Sequence, residues 1–170
     1  MSLDVTVAGA SSNAYVTIAE VTAALIGVAS TKWDEVATIE KREGYIKYAT
    51  NLIDMQHYRI GSYDLDTPQA LKFPLENQYT LNDSGEEVPF LTPTLKQACI
   101  SQVDALLVGV SKQALEYRNK GVKSMSMGLG STVSFNSNPI TAKELLCAET
   151  RILLGSYLAQ SGTGFRIGRT

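Results

Sequence analysis

The stretch from Thr92 to Val110, TPTLKQACISQVDALLVGV, constrains the fold of this chain more than any other. Thr92 brings the hydroxyl of a helix N-cap. Pro93 suits the first helical position, where a missing N–H costs nothing and φ is already set. Behind them Leu95, Ala98, Cys99, Gln102, Val103, Leu106, Leu107 and Val110 recur at helical spacing. So long an apolar stripe has to be buried, which makes this the expected central helix.

Three further helices are expected around it. Thr17 and Glu20 form a capping box, in which each side chain satisfies a free N–H of the first turn. Ile18, Val21, Leu25 and Val28 then predict a helix over 18–29. A second helix is predicted from Thr38 to Tyr58, with Ile39, Ile46, Ala49 and Ile53 on one face and Tyr45 and Leu52 widening it. Gly44 weakens that pattern by about 1 kcal/mol relative to alanine, but the pattern is long enough to outweigh it. Thr141 and Glu144 form a second capping box ahead of the last helix. There Leu145, Ala148, Ile152 and Gly155 share a face flanked by Leu146, Leu153 and Tyr157, ending near Gln160.

Between the second and central helices lies a long connection, 59–92, holding Gly61, Pro68, Pro74, Gly85 and Pro89. It is acidic: Asp64, Asp66, Glu76, Asp83, Glu86 and Glu87 stand against Lys72. LNDSGEEV within it reads as a tight turn, the tip of a small hairpin, and ALKFP (70–74) as a set of apolar anchors. Before the last helix comes GVKSMSMGLGSTVSF (121–135), a low-charge ribbon. Lys123, Met125 and Met127 alternate with Val122, Ser124 and Ser126, and Val133 and Phe135 with Thr132 and Ser134. Gly128 and Gly130 sit where a hairpin turns. A lone hairpin is marginal in water. Two arrangements satisfy it: packing on the chain's own helices, or packing against hairpins of neighbouring copies through Met125, Met127, Leu129, Val133 and Phe135.

The expected fold class is therefore mainly α: a four- to five-helix bundle with a long loop and one protruding β-hairpin. A single domain is expected over 1–160, with 161–170 as a flexible C-terminal tail. A chain of 170 residues is long enough to bury a core of this kind.

Chemistry is sparse. The one histidine, His57, has no Ser or Cys nucleophile presented with it, so a surface or interface role is the better reading. Cys99 and Cys147 fall on apolar stripes and read as buried reduced thiols; two distant cysteines and one histidine do not make a zinc site. DLDTPQ and NDSGEE lack the ligand order of a calcium loop, and GLGS is no phosphate-binding loop. No catalytic, cofactor or metal residues are assigned. The net charge of −2 excludes a strongly basic DNA-coating protein, though not a local basic patch. Such a patch exists at 112–123, where Lys112, Arg118, Lys120 and Lys123 stand against Glu116. It reads either as a surface facing a phosphate backbone or as a solvated helix C-terminus, where cations are favoured anyway. The start, MSLDVTVAGASSNAY, has no positive region followed by an apolar core, and no apolar run approaches a membrane span. A soluble intracellular product is expected.

Read in order, several short motifs resemble one family. SNAYVTIAEVTAAL (12–25) resembles the opening of phage head–tail connector (adaptor) proteins, some of which are described as DnaT-like single-stranded DNA-binding proteins. That family continues with a tryptophan and an A-x-x-x-I-D helix end, here Trp33 and ATNLID (49–54). It goes on to Q-x-L-x-F-P, here QALKFP (69–74), then a proline-led step into a core helix, here VPFLTPTLKQA, and a G-V-K-S ribbon, here 121–124. Leu75 stands where the family often has Arg. The resemblance covers about residues 12–155. It implies a virion protein at the head–tail junction, made in the host cytoplasm. Its subunits would form a ring, often twelvefold, between the portal and the head-closure (stopper) or tail proteins, with double-stranded DNA passing through. On that reading Lys112, Arg118, Lys120 and Lys123 would face the channel, and Phe165, Arg166, Ile167 and Arg169 would dock on the portal. The alternative is a single-stranded DNA-binding module, for which Tyr58-Arg59, Tyr63 and Tyr117-Arg118 are the stacking candidates.

Overall fold

A computed structural model describes residues 2–25, 32–62, 69–108 and 145–159, together with the backbone of two strands at 124–127 and 131–134. These residues hold four helices and two separate two-stranded antiparallel sheets. In chain order the elements are α1 (Ile18–Leu25), α2 (Ile39–Asp54), β1 (Tyr79–Leu81), β2 (Glu87–Pro89), α3 (Pro93–Val108), β3 (Ser124–Met127), β4 (Ser131–Ser134) and α4 (Ala148–Leu153). Partial helicity is compatible with the mainly-α expectation, and the described residues carry a hairpin at LNDSGEEV as well as the ribbon before the last helix.

α1 starts at its capping box. The Thr17 N–H donates to Glu20 Oε2 at 2.8 Å and the Glu20 N–H to Thr17 Oγ1 at 3.1 Å. Glu20 also receives Lys96 Nζ of α3 at 2.6 Å, so the same carboxylate caps α1 and ties it to the central helix. The stretch 26–31, with Val28 on the expected stripe, lies outside the described residues. Trp33 follows, buried, with its indole N–H on Thr22 Oγ1 at 2.9 Å and the Arg42 guanidinium over its ring.

Thr38 caps α2, accepting the Lys41 N–H. The inward face is Ile46, Ala49, Thr50, Leu52 and Ile53; Ile39, expected on that face, is 63% exposed. The helix also ends at Asp54, four residues before its predicted end. The cause is local competition for its last carbonyls: the Gln56 side-chain amide donates to Leu52 O at 2.8 Å and the Tyr58 hydroxyl to Ile53 O at 2.5 Å. Backbone N–H groups further along therefore leave the ladder.

α3 begins as its sequence demands, with Thr92 Oγ1 accepting the Leu95 N–H. It is buried beyond its stripe: Ile100 and Ser101 are inside as well as Leu95, Ala98, Cys99, Gln102 and Val103. α2 packs on one side and α4 on another. Val108 is exposed, and Val110 lies outside the described residues.

α4 corrects the expectation most. Cys147 is its N-cap rather than part of an apolar stripe. The buried residues are Leu146, Thr150, Leu154 and Leu158, spaced four apart, while Ile152 is 79% exposed and Gly155 is exposed. The helix is turned by polar bonds to α3 that hydrophobic periodicity does not report. Thr150 Oγ1 donates to Ala98 O at 2.9 Å, and the Cys147 N–H donates to the fully buried Gln102 Oε1 at 2.9 Å. The second capping box, Thr141 and Glu144, lies outside the described residues, as does the tail.

The N-terminal residues are also organised, although no motif there forecasts it. Asp4 accepts from the Thr6 hydroxyl and N–H and from Ser11 Oγ, and its carbonyl receives the N–H groups of Asn13 and Ala14. These hydrogen bonds, the Thr6 hydroxyl first, hold the Asp4 carboxyl below its usual range. The loop delivers Ala14, Tyr15 and Val16 into the core.

Phe73 is 2% exposed and touches three tyrosines, so Phe73→Ala should lower unfolding stability by about 3–5 kcal/mol. Ile152→Ser, on the face the sequence placed inward, should change it by less than about 0.5 kcal/mol. Urea unfolding of both variants checks the register of α4 and the role of Phe73 together.

Candidate functional site

Three of the stretches singled out in the sequence are far apart in the chain but meet in one place. Tyr15 comes from the first motif, Asp54 from the end of α2, and Lys72 and Phe73 from QALKFP. The Tyr15 hydroxyl donates to Asp54 Oδ1 at 2.5 Å, and the Lys72 backbone N–H donates to the same oxygen at 2.6 Å. The Phe73 N–H donates to Tyr15 Oη at 3.3 Å. Lys72 Nζ reaches back to Gln56 O at 2.7 Å, so one residue is held to the end of α2 at both its backbone and its tip.

Around this polar knot the rings of Tyr15, Tyr58 and Tyr157 contact Phe73 edge to face, with centroids 5.7, 4.7 and 5.8 Å away. This is the arrangement the ring quadrupoles prefer, worth about 0.5–1.5 kcal/mol per pair beyond burial. Tyr157 is delivered by the turn after α4, where residues 57–59 and 157–159 run antiparallel. The Arg59 N–H donates to Tyr157 O at 3.0 Å and the Ala159 N–H to His57 O at 2.9 Å. Burial first, and then the nearby Asp54 charge, push the Tyr15 and Tyr58 hydroxyls far above their ordinary range, so both stay protonated donors.

The junction is structural chemistry. No nucleophile–base pair is part of it. His57 is exposed and lines a shallow cavity of about 230 Å³ with Ser62, Lys72 and Leu75. Among the described residues no three His, Cys, Asp or Glu side chains gather to hold a metal ion, and no helix is long and apolar enough to cross a membrane. Burial pushes the Cys99 thiol up to about 12, which leaves it protonated and unreactive; Cys147 is half-buried, and both are free.

The hairpin predicted within 121–135 is present as β3–β4. The register sets Met125 opposite Val133, Ser126 opposite Thr132 and Met127 opposite Ser131, leaving three residues for the turn. The pair forms a two-stranded sheet by itself. Leu129 and Phe135 lie outside the described residues, as do the cationic candidates Lys112, Arg118, Lys120 and Lys123 and the tail candidates Phe165, Arg166, Ile167 and Arg169. Of the stacking candidates, Tyr58 has its ring committed to Phe73 and Arg59 its Nε to Leu158 O; Tyr63, Tyr117 and Arg118 lie outside the described residues.

The second ribbon, β1–β2, is built by Asn82. Its side-chain oxygen accepts the N–H groups of Ser84 and Glu86, and Gly85 takes the positive φ of 79° that the turn requires. Tyr79 lies opposite Pro89, Thr80 opposite Val88 and Leu81 opposite Glu87. Every strand residue is exposed except the half-buried Pro89. The sequence signalled this turn through NDSG, yet the exposure of its apolar residues had no sequence signal. Comparison of the chain with family models, with curated proteins and with solved structures finds no match.

Asp54→Ala strands the Tyr15 hydroxyl and the Lys72 N–H inside the molecule. It should cost more than Tyr15→Phe, which strands only the Phe73 N–H, released from a longer bond of 3.3 Å, and leaves Asp54 bonded to Lys72. The expected losses are about 3 and about 1 kcal/mol in chemical unfolding. Equal losses would mean that Asp54 does not organise the junction.

Proposed function

We propose that this chain is a head–tail connector subunit of a tailed phage: a non-enzymatic virion protein, mainly helical, that assembles as a ring between the portal and the head-closure or tail proteins. The observation that carries the reading is the convergence of the motif residues. Tyr15, Asp54 and Phe73 belong to three separate stretches that resemble the connector family in order, and they form one hydrogen-bonded and aromatic junction. Residues that hold a particular fold together are the ones a shared fold would require, so their meeting supports the likeness beyond its linear order. The self-contained β3–β4 ribbon adds support, because a two-stranded sheet gains stability when its unpaired edges meet a neighbour.

The physical requirement on such a ring agrees with the composition. A bore for DNA has to guide a polyanion without gripping it, since each firm phosphate contact adds affinity that resists passage. A net charge of −2 with one short basic stretch suits transit better than storage. The single-stranded DNA-binding alternative is weakened at Tyr58, whose ring packs against Phe73, while Arg59 is exposed.

The test is the mass of the purified protein by light scattering, alone and mixed with the portal protein of the same phage. A ring of many copies, formed alone or on the portal, is the expected result. A chain that stays monomeric and leaves the portal unaltered would overturn the proposal.

A further inference from the structure

The β1–β2 ribbon is unlike the rest of the described surface. Its four large apolar side chains, Tyr79, Leu81, Val88 and Phe90, are all exposed, Leu81 by 63%. Tyr79, Leu81 and Val88 stand on a two-stranded sheet and Phe90 directly follows it, with no third strand among the described residues. From Phe73 to Leu95 there is no Lys, Arg or His, while Glu76, Asp83, Glu86 and Glu87 lie within that span. Apolar sides with an acidic tip are costly to leave in water, and they select a partner that is apolar and cationic at once.

The chain contains one stretch of that kind. Residues 112–123, KQALEYRNKGVK, carry four of the fifteen Lys and Arg residues against one Glu, interleaved with Leu115, Tyr117 and Val122. The stretch leads directly into β3. A polyanion is excluded as the ribbon's occupant by like charge. None of the described residues covers the ribbon's apolar side chains, which are exposed.

We infer that the β1–β2 ribbon is a docking surface for residues 112–123 of a second copy of this chain. The inference rests on the ring reading and deepens it by naming the complementary surfaces of adjacent subunits. The contact is head-to-tail: each copy offers its acidic ribbon to one neighbour and its basic stretch to the other, a geometry that closes into rings. Lys112, Arg118, Lys120 and Lys123 then serve the subunit boundary, and assembly weakens as salt screens the tip.

The test uses two charge-reversed full-length chains, Asp83→Lys/Glu86→Lys and Lys120→Glu/Lys123→Glu, alone and mixed one to one, under the conditions that give the wild-type assembly. Both substitutions in the first chain sit on exposed positions, and thermal unfolding confirms that each variant folds. Each alone should lose the ring. The mixture should regain it as alternating copies, because every interface in it again pairs opposite charges or reverses both. Variants that assemble like the wild type overturn the inference and leave the ring reading intact. So does a mixture that stays unassembled, which would place the ribbon against the portal or a tail protein instead. A wild-type chain that forms no ring, alone or on the portal, removes the ring reading itself.

Discussion

One carboxylate oxygen organises the described structure. Asp54 Oδ1 takes the Tyr15 hydroxyl and the Lys72 N–H together, and through them fixes the N-terminal segment, the end of α2 and the Phe73 loop to each other. The loop from 59 to 92 is long for a compact fold, and ordering it costs backbone entropy at every residue. Phe73 offsets a part of that cost by filling a site walled by three tyrosines, and the polar knot beside it holds the loop to the end of α2. α4 depends on the same site, because Tyr157 is one of the walls and the 57–59/157–159 pairing follows from it.

Much of this was legible in the sequence, for identifiable reasons. Caps are local chemistry, so Thr17/Glu20, Thr38 and Thr92 were readable and stand where expected. The ribbon 124–134 announced itself by alternation and glycine, and NDSG by its turn residues. What failed were decisions made by polar side chains, local ones in α2 and distant ones in α4. Gln56 and Tyr58 end α2 early by taking its carbonyls; Thr150 and Gln102 rotate α4 so that Ile152 faces water. A periodicity count scores Thr150 as a polar interruption although it is fully buried, and it places Gln102 on the inward stripe without signalling its bond to Cys147. The junction was visible only as motifs in a row; that Tyr15, Asp54 and Phe73 touch is information held by the fold.

The division of labour that results fits an assembly protein. Among the described residues, apolar and aromatic burial is concentrated around α3 and the junction, while β1–β2 is exposed on its strands and β3 pairs with β4 in a separate two-stranded sheet. A subunit that joins a ring needs a core that is stable before assembly and edges that gain order by assembling. On the connector reading, the ribbons are those edges and the junction is what allows the rest of the chain to do without them.

Hydrogen exchange on the free subunit and on the portal-bound assembly tests that division most directly. The account predicts slow exchange at the Lys72 and Phe73 amides and along α2 and α3 in both states, with the strands of both ribbons exchanging fast when free and slowing on assembly. Ribbons already as protected as α3 in the free subunit, or unchanged when the portal is added, would contradict it.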